Sequence, residues 1–434
     1  MNDPLGIALI GCGVVGGGVA KLLLQQRERL AARAGRPLVL RHVVIRDRER
    51  PRDVDLPVEL VSTDARAGLQ DPAVQVIVEL VGGTTAARRY VLDALAAGKH
   101  VVTANKALLA EHGVEIFETA RQHQRAVCFE ASVAGGVPII GAVAQSMSAN
   151  QITGIQGILN GTSNFILTAM SEQGGSYADA LAEGQRLGYA EADPTLDVDG
   201  SDAAHKLAIL AQIAFGVTAS IQDIERYGIA GIHPMDLRFA HELGYTIKLL
   251  AEGWLEGNEV ALHVAPVLLR HTDMLAQVRG AFNAILVIGD AVGETLYEGP
   301  GAGSLPTASA VVADIIDLAI GRAQKTFQAA RLWTPGGRGF RLRPADAVRS
   351  RFYLRVLVAD QPGMLADVAR VLADREISIA SVIQHEALED HQGEVVPLVI
   401  MTHYAPTGQF RQAVERINRL AGVVPPGVYY SVDD

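Results

Sequence analysis

Residues 7–24 read IALIGCGVVGGGVAKLLL, and this stretch decides the fold. An apolar run leads into the hexapeptide GCGVVG and then into a helical pattern, which predicts a strand, a tight turn and a helix. GCGVVG fits G-x-G-x-x-G, a pattern that binds a dinucleotide when it lies between a strand and a helix. Gly11 permits the turn, Gly13 lets the pyrophosphate approach the backbone, and Gly16 lets the helix pack against the strand.

Outward from this loop, strands alternate with helices. Apolar runs predict strands at 38–47, 74–83 and 126–135, and residues 101–110 read as strand, loop and helix. The alternation implies right-handed βαβ units and an α/β fold with a doubly wound parallel sheet. Residues 1–135 are therefore predicted to form a Rossmann-type dinucleotide-binding domain, completed by a helix over 304–330.

The pattern changes beyond residue 136. Mixed helices and strands over 136–303 predict an inserted α+β domain for catalysis and dimerisation. Residues 334–350 are rich in Gly, Pro and Arg and are interpreted as a linker. Residues 351–434 then restart with the order βαββαβ, which is the ferredoxin-like arrangement.

Bulk properties narrow the class of protein. A chain of 434 residues is long enough for two or three domains. Its net charge of −10 argues against nucleic acid or an anionic membrane as partner. Two cysteines rule out a disulfide framework, no leader or membrane-length apolar run is evident, and the cytoplasm is the expected location.

The end of the second strand predicts the cofactor. An acid at this position would bind the ribose hydroxyls of NAD, whereas an arginine would bind the 2′-phosphate of NADP. Arg46 comes first, so NADP(H) is preferred, while Asp47 leaves NAD(H) open. The run Arg48, Arg50 and Arg52 reads equally well as a solvated basic loop.

Two lysines are candidates for chemistry. A dehydrogenase that reduces a carbonyl needs a proton donor and charge to hold its substrate. Neither Cys12, in the glycine loop, nor Cys128, in an apolar run, suits a nucleophile, so plain hydride transfer is favoured. Lys106 follows a strand end, and Lys206 lies four residues after Asp202 on one helix face. Spacing alone leaves both open to an ordinary reading as solvated helix charges.

Several motifs then carry a family resemblance. The chain resembles homoserine dehydrogenase in GCGVVG, ELVGG (79–83), TANKALLA (103–110), EASVAGGVPII (130–140), LNGTSNFIL (159–167), GYAEADPTLDVDGSDAAHKLAIL (188–210) and GPGAGSLPTASAVVADI (299–315). The C-terminal segment, with its DQPGML turn, resembles an ACT domain. The resemblance covers nearly the whole chain and implies interconversion of L-aspartate 4-semialdehyde and L-homoserine, a step toward threonine, methionine and isoleucine.

The resemblance also implies roles for residues. Lys206 is the expected proton donor, Lys106 and Asp202 complete the catalytic set, and Glu191 and Asp202 are expected to hold the substrate. Asp197 is assigned to the substrate as well, or to holding a lysine, and His205 to packing or the surface. The expected cofactor-binding set comprises Gly11, Cys12, Gly13, Val14, Val15, Gly16, Arg46, Gly82, Thr103, Lys106, Gly188 and Gly303.

The remaining expectations concern a cation and regulation. Glu130 with the carbonyls of Val133, Gly135 and Val137 matches a sodium site, the alternative for Glu130 being a structural carboxylate. The turn residues Asp360, Gly363 and Leu365 are expected to face threonine as an allosteric ligand, the alternative being an ACT domain that only dimerises. A homodimer or homotetramer is expected. A dehydrogenase for another small amino-aldehyde and a non-catalytic amino-acid sensor stay open as alternatives.

Overall fold

The computed structural model describes residues 3–334, 339–384 and 395–433. Its first part is a parallel sheet with the strand order β3-β2-β1-β4-β5-β6. The chain adds β2 and β3 on one side of β1 and then β4, β5 and β6 on its other side, which is the order of a doubly wound dinucleotide-binding sheet. This order confirms the predicted fold class. The elements are β1 (Leu5–Ile10), α1 (Val14–Gln25), α2 (Arg27–Ala34), β2 (Leu38–Val44), β3 (Val61–Ser62), α3 (Arg66–Gln70), β4 (Val76–Glu79), α4 (Thr85–Ala96), β5 (His100–Thr103), α5 (Lys106–Gln122) and β6 (Val127–Cys128).

The second part is a mixed sheet covered by helices. Strands β12-β11-β7-β9-β10 are antiparallel neighbours in that order, and helices α7, α10 and α11 pack against β9. The elements are α6 (Ile139–Gly141), which continues as a π-helical turn, β7 (Ile152–Ile158), α7 (Gly161–Gln173), α8 (Tyr177–Arg186), α9 (Thr195–Val198), α10 (Ser201–Ala214), β8 (Glu225–Arg226), α11 (Pro234–Glu242), β9 (Tyr245–Glu256), β10 (Glu259–Arg270), β11 (Phe282–Gly289) and β12 (Gly293–Pro300).

The C-terminal part has the predicted βαββαβ order. Its strands run β18-β14-β16-β15, with α14 and α15 on one face over a core that includes Leu354, Val368 and Phe410. The elements from residue 304 onward are α12 (Ser304–Ala319), α13 (Arg322–Ala330), β13 (Arg341–Leu342), β14 (Arg349–Ala359), α14 (Met364–Ala373), β15 (Ile379–Gln384), β16 (Val395–Thr402), β17 (Ala405–Pro406), α15 (Thr407–Ile417) and β18 (Val423–Asp433).

The second and third parts share one continuous sheet. The end of β18 pairs in parallel with β10, with Val267 opposite Ser431 and Leu269 opposite Asp433. A buried ion pair reinforces this junction, since Arg355 on β14 binds Asp236 on α11 through two hydrogen bonds of 2.5 and 2.9 Å. The ACT-like part is therefore joined to the catalytic part through backbone and side chains, a connection that the sequence does not reveal.

Two sequence expectations about connections need correction. The single helix expected over 304–330 is two helices, α12 and α13, that meet at 92°. Gly321 between them has φ of +81°, a left-handed conformation that ends a helix. The expected linker 334–350 contains β13, which pairs with β10, and the first residues of β14; residues 335–338 lie outside the described part.

Helix α12 belongs structurally to the first sheet. It packs on α1, and Ala308, Val311 and Ile315 join the apolar cluster that covers β1 and β2. Because α12 follows β12, the chain returns to its N-terminal part after building the mixed sheet. In the described residues, no single helix is long and apolar enough to cross a membrane; the bent pair α12–α13 passes that test only when its two helices are combined.

Candidate active site

The glycine loop has the shape that dinucleotide binding requires. Gly11 has φ of +98°, and a Cβ atom there would lie 2.6 Å from the carbonyl oxygen of Leu80. A Cβ atom on Gly16 would lie 2.2 Å from the carbonyl oxygen of Gly11. A Cβ atom on Gly13, by contrast, would meet nothing within 4 Å, so this position opens to space beside the N-terminus of α1. Such an opening fits the approach of a pyrophosphate to the backbone.

Arg52, whose role the sequence left open, lies against the glycine loop. Arg52 donates a hydrogen bond of 3.2 Å from Nε to the carbonyl of Cys12, and Nη2 donates to the carbonyl of Asp47. The Oδ1 atom of Asp47 accepts the backbone N–H of Glu49 at 2.8 Å, so this carboxylate is engaged within its own loop. Arg46 is exposed two residues after the end of β2. The alternation of arginines over residues 46–52 was the sequence feature that could have indicated this contact of Arg52.

A cavity of about 440 Å³ opens between the loops after β4 and β5 and the segment that contains α9 and the start of α10. Volumes of this order accommodate small metabolites. Several predicted residues meet on its walls although they are far apart in sequence: Val15, Gly82, Lys106, Glu191, Asp197 and Asp202. The cavity lies at the carboxyl ends of β4 and β5, where ligands bind in doubly wound sheets.

The centre of the site is a carboxylate shared by two lysines. Lys206 Nζ lies 2.7 Å from Asp202 Oδ2, and Lys106 Nζ lies 3.0 Å from Asp202 Oδ1. Burial alone would raise the pKa of Asp202, but the two ammonium groups outweigh burial and hold its pKa well below its usual range. Asp202 is therefore an anion that presents one oxygen to each lysine.

The two lysines differ in exposure. The side chain of Lys206 is 11% exposed, and its Nζ also donates to the carbonyl of Leu159 at 2.6 Å. The side chain of Lys106 is 39% exposed and lines the cavity directly. Asp202 and Leu159 thus accept from Lys206, whose ammonium has three N–H donors and so keeps one for a further partner.

Asn160 organises the acids, and sequence reasoning assigned it no role. Its Nδ2 donates to Asp197 Oδ1 at 2.8 Å and to Asp202 Oδ2 at 2.9 Å, and its Oδ1 accepts the N–H of Ser163 at the start of α7. Asp197 is thus held by an amide, and no lysine contacts it within the described residues. Burial raises the pKa of Asp197, and the neighbouring charge of Asp202 raises it further against the opposing Asn160 bond.

The first turn of α7 also fixes the segment that carries these acids. Thr162 Oγ1 donates to the carbonyl of Tyr189 at 2.6 Å, and Ser163 Oγ donates to the carbonyl of Asp197 at 2.8 Å. The motif LNGTSNFIL therefore supplies side chains that hydrogen-bond to the backbone of the segment between α8 and α10. Its run of small polar residues before an apolar helix was the signal for this role.

Two predicted cofactor residues have their side chains turned inward. Thr103 is 1% exposed, and its Oγ1 donates to Glu79 Oε2 at 2.7 Å. Glu79 is fully buried and also accepts the N–H groups of Val81 and Gly82, so it shapes the loop after β4. Cys12 is 6% exposed and packs in the core. Contacts of Thr103 and Cys12 with a cofactor would therefore involve their backbones.

His205, expected to serve packing or the surface, is half-buried and lies on the wall of the cavity. Burial, and then the charge of Lys106, lower its pKa, so the imidazole is neutral near pH 7. Glu191 lies at the exposed rim of the cavity, beyond Gly188 with φ of +78°. Gly303 precedes α12, whose Ser304 Oγ donates to the carbonyl of Val14.

The predicted cation loop has an engaged carboxylate. Glu130 accepts the N–H groups of Ile140 and Gly141, both at 2.8 Å, and burial raises its pKa. The buried carboxyl of Asp314 accepts the N–H of Glu130. Among residues 3–334, 339–384 and 395–433, no cluster of three His, Cys, Asp or Glu side chains suits a metal ion. A cation here would rely on carbonyl oxygens, including those of Val133, Gly135 and Val137.

The expected regulatory turn lies far along the chain from this cavity, at the end of β14. Asp360, Gly363 and Leu365 are all exposed, and Gly363, with φ of +99°, precedes α14. Exposure at this turn is compatible with a ligand or with a second copy of the chain.

Comparison with known families matches three regions. The family described as homoserine dehydrogenase matches residues 138–316, its NAD-binding domain matches residues 11–130, and the ACT domain matches residues 352–422. A homoserine dehydrogenase of Pseudomonas aeruginosa is 43% identical over 435 residues, covering 99% of each chain. That of Neisseria gonorrhoeae is 42% identical and covers 98% of this chain and 97% of the relative.

Solved structures agree with these matches. A homoserine dehydrogenase from Thiobacillus denitrificans superimposes with a TM-score of 0.90 at 40% identity, covering 100% of this chain and 99% of that one. The Staphylococcus aureus enzyme at pH 7.0 gives a TM-score of 0.78 at 32% identity, covering 100% of both chains. A hyperthermophilic archaeal homoserine dehydrogenase mutant in complex with NADPH gives a TM-score of 0.62 at 26% identity, covering 74% of this chain and 98% of that one.

Proposed function

The chain belongs to the homoserine dehydrogenase family, and from this membership we propose how its residues interconvert L-aspartate 4-semialdehyde and L-homoserine. The observation that carries the proposal is Asp202, held between Lys106 and Lys206 at a cavity that opens beside the glycine loop. When bound, the nicotinamide cofactor supplies the hydride. The rest of the chemistry is a proton delivered to the carbonyl oxygen and charge that holds the substrate.

Lys206 is the proposed proton donor. Its ammonium lies in a nearly water-free position between Asp202 Oδ2 and the carbonyl of Leu159, so its direction is fixed before substrate enters. As hydride reaches the carbonyl carbon, the developing alkoxide takes a proton from Lys206. Lys106 lies on the cavity wall. It is proposed to neutralise the substrate carboxylate, and it would help to hold the nicotinamide cofactor when that cofactor is bound. Asp202 positions both ammonium groups.

The acids of the cavity are proposed to bind the α-ammonium group of the substrate. Glu191 lies at the rim, and Asp197 and Asp202 lie deeper in the cavity. An ammonium placed beside Asp197 would relieve the cost of its buried charge, because burial is the leading cause of its raised pKa. This gives specificity for an amino-aldehyde over a simple aldehyde.

NADPH is the proposed preferred cofactor, with NADH as a weaker alternative. The glycine loop, Gly82, Gly188 and Gly303 form the proposed cradle, and Arg46 is proposed to bind the 2′-phosphate. The carboxylate of Asp47 is hydrogen-bonded within its own loop, which supports Arg46 as the residue that binds the 2′-phosphate. The archaeal relative was solved in complex with NADPH, which supports NADPH as the preferred cofactor. The R46A variant tests it: the ratio of kcat/KM for NADPH to that for NADH should fall about tenfold or more, since charge-assisted hydrogen bonds contribute about 1.5–3 kcal/mol. An unchanged ratio rejects Arg46.

A sodium ion is the proposed structural cation of loop 130–137. The donor set would be carbonyl oxygens, which suit a hard monovalent cation. The carboxyl groups of Glu130 and Asp314 lie next to each other, and burial raises the pKa of each, so a nearby cation would stabilise their ionised forms. Activity that is identical in sodium, potassium and choline chloride would reject the cation.

Regulation by threonine is proposed for the ACT-like part, with Asp360, Gly363 and Leu365 facing the ligand. A homodimer or homotetramer in the cytoplasm, working toward threonine, methionine and isoleucine, is the proposed setting. The proposed division assigns residues 1–135 and 304–330 to the cofactor, 136–303 to substrate and 351–434 to regulation. Rates of the full-length chain that saturating threonine leaves unchanged would reject threonine sensing.

The direct test is loss of NADPH absorbance with L-aspartate 4-semialdehyde. Turnover that is faster with this substrate than with shorter or longer amino-aldehydes supports the proposal. Faster turnover of another amino-aldehyde would favour the second dehydrogenase reading. A folded sample that binds NADPH but turns over none of them would favour the non-catalytic sensor.

A further inference from the structure

Asn283, the second residue of β11, carries a buried amide to which no role has yet been assigned. The residue is 1% exposed, and its Nδ2 donates to the carbonyl oxygen of Leu159 at 3.0 Å. Its Oδ1 is buried as well and accepts no hydrogen bond within the described part of the chain. Turning the amide over would place this oxygen against the carbonyl oxygen of Leu159, so the donor side decides which way the amide faces. A buried oxygen without a partner costs free energy, so stability alone is a poor explanation for this side chain.

The carbonyl of Leu159 is also an acceptor for the proposed proton donor. Lys206 Nζ donates to the same oxygen at 2.6 Å. A carbonyl oxygen has two lone pairs, so Asn283 and Lys206 together use its accepting capacity. Leu159 lies between the end of β7 and Asn160, the N-cap of α7. The amide of Asn283 therefore fixes a carbonyl at the point where the backbone changes from strand to helix.

The side-chain hydrogen bond is not needed to hold β11 in its sheet. Backbone pairing already joins β11 to β7, with Ala284 opposite Ile158, and joins β11 to β12, with Asn283 opposite Gly299. An apolar side chain at position 283 would fill similar space without a bare oxygen. It could not supply the N–H group that the carbonyl of Leu159 accepts. The specific contribution of the amide is therefore the orientation of this carbonyl and of the ammonium bonded to it.

The amide also lies against Gly301. The three atoms nearest to a Cβ atom on Gly301 would all belong to Asn283: Cγ at 2.1 Å, Oδ1 at 2.2 Å and Nδ2 at 2.3 Å. Any side chain at position 301 would therefore displace the amide. Gly301 leads into α12, whose Ser304 donates to the carbonyl of Val14 beside the glycine loop. Asn283 thus lies between the acceptor of Lys206 and the loop that borders the proposed cofactor site.

The neutral charge of the amide suits this position. Lys206 Nζ already lies 2.7 Å from the carboxylate of Asp202. A carboxylate at position 283 would repel the carbonyl oxygen of Leu159 and would add a second anion near the ammonium. A neutral N–H donor orients the carbonyl and leaves the charge of the Asp202 cluster unchanged.

We propose that Asn283 is a positioning residue of the reaction: its amide fixes the carbonyl of Leu159, and this carbonyl fixes the direction in which the Lys206 ammonium delivers its proton. Glycine at position 301 provides the space that the amide needs. The inference rests on the proposed function, because it takes Lys206 as the proton donor.

The first test is N283L, which keeps a side chain of similar size and removes the N–H group. The value of kcat for L-aspartate 4-semialdehyde, followed by loss of NADPH absorbance, should fall about 3–10-fold, the equivalent of one neutral hydrogen bond. The Kd of NADPH should stay unchanged. The solvent deuterium isotope effect on kcat should rise, because a poorly directed ammonium slows proton transfer relative to the other steps. A kcat and an isotope effect equal to those of the wild type overturn the proposal.

The control variant is N164L. Asn164 is also buried, at 2% exposure, and its Nδ2 donates to the carbonyl of Gly280 at 3.0 Å. N164L should lower the denaturant midpoint and keep the kcat and the isotope effect of the wild type. Equal changes of kcat in N164L and N283L would mean that loss of any buried amide slows the enzyme, and this result overturns a specific role for Asn283.

Action through Lys206 is tested by combining variants. In K206M the ammonium is absent, so adding N283L should not lower the residual rate further. A further 3–10-fold loss in the double variant overturns the route through Lys206. The proposed function is judged separately. A K206M enzyme with the kcat of the wild type rejects Lys206 as donor and the positioning role with it, whereas a slow K206M enzyme beside a normal N283L enzyme rejects the role of Asn283 alone.

The space at Gly301 is tested in two backgrounds, and this comparison also decides the proposal if N283L folds poorly. In the otherwise unchanged protein, G301A should displace the amide and lower kcat at least as much as N283L does. In N283A, the three atoms that the new methyl group would meet first are absent, so G301A should cause no further loss of kcat. An equal loss from G301A in both backgrounds overturns the link between Gly301 and Asn283.

Discussion

Two buried aspartates in this molecule bind cations, and the numbers of charges around them differ. Asp202, 7% exposed, faces two lysines and an amide at the wall of the active-site cavity. Asp236, with no exposed surface, binds the single guanidinium of Arg355 through both carboxylate oxygens and also accepts the hydroxyl of Tyr353 at 2.9 Å. The first cluster has a surplus positive charge beside a cavity, whereas the second is balanced and enclosed.

This difference in charge balance and exposure distinguishes a cluster suited to catalysis from one suited to structural support. The Asp202 cluster has more positive than negative charge, and it borders a cavity. An ammonium group there can donate a proton and can bind a carboxylate, so bound substrate would complete the charge balance of the cluster. A bidentate arginine pair satisfies both partners and fixes their geometry. The Asp236 pair therefore holds α11 against β14 and has no group left for a ligand. Changes at the first cluster should affect rate, and changes at the second should affect stability.

The largest expected effect is on turnover in K206M. Methionine keeps the unbranched side chain, one atom shorter, but has no proton to donate, so kcat should fall about 10²–10⁴-fold, the usual contribution of general acid catalysis. NADPH should still bind, as measured by fluorescence titration. Turnover within a factor of about three of the wild type would refute Lys206 as donor.

A matched control for K206M is K248M. Lys248 is also buried, at 3% exposure, but its ammonium binds Asn164 and the carbonyl of Val278, away from the cavity. This variant should lose stability and keep kcat. Equal loss of kcat in both variants would show that burying methionine, not losing the proton donor, lowers the rate.

The second expected effect is on stability, in D236N. The amide leaves the guanidinium of Arg355 buried without its counterion, and breaking a buried pair in this way costs about 3–5 kcal/mol. The denaturant midpoint should fall, while kcat/KM at 20 °C should stay within about twofold of the wild type. The double variant D236L/R355M should recover much of the midpoint, because apolar replacement removes both buried charges.

These two clusters were not equally visible in the sequence. Asp202 and Lys206 are four residues apart on one helix, and the motifs around them carry a family resemblance, so local pattern was enough. The fold was also predictable where periodicity is strong, in the glycine loop and the βαββαβ segment. Asp236 and Arg355 are 119 residues apart, and nothing in either local sequence indicates the other. Such pairs depend on how two sheets meet.

Within the active site, the residues missed by sequence reasoning act through other residues. Asn160 and Glu79 are a polar cap and a buried acid that, taken alone, have many ordinary explanations. Their roles appear only when the partners Asp197, Asp202 and Thr103 are brought next to them. The break at Gly321 was missed for a similar reason, because a single glycine inside a long apolar pattern does not by itself end a helix.

The third expected effect is on rate, in N160D and N160S. Asp and Ser cap helices about as well as Asn, so both variants keep the start of α7. Both lose the amide that joins Asp197 to Asp202, a bond to charge worth about 1.5–3 kcal/mol. kcat should fall about 10–100-fold, more in N160D because it adds a third carboxylate. The pH profile of kcat should also shift, which a purely structural role would not cause.

The control for Asn160 is the loss of a cap elsewhere. Ser176 caps α8 in an exposed capping box with Asp179, and S176A should cost about 1 kcal/mol of stability without changing kcat. If N160S behaves like S176A, with lower stability and unchanged kcat, Asn160 serves the helix alone.

The smallest expected effect is a pH dependence of stability at the junction. Burial, and then the charge of Glu252, raise the pKa of Asp433 from 3.8 to about 6. The folded protein therefore binds this proton more tightly than the unfolded chain, so the stability contributed by Asp433 is full below about pH 4 and is lost as the pH rises toward 6. D433N removes the titration. The melting temperature of the wild type minus that of D433N should fall between about pH 4 and pH 6, the window set by the two pKa values. A difference that stays constant or rises would mean that Asp433 is ionised in the folded state throughout, and that His263 and Gln156 stabilise two carboxylates here and not one.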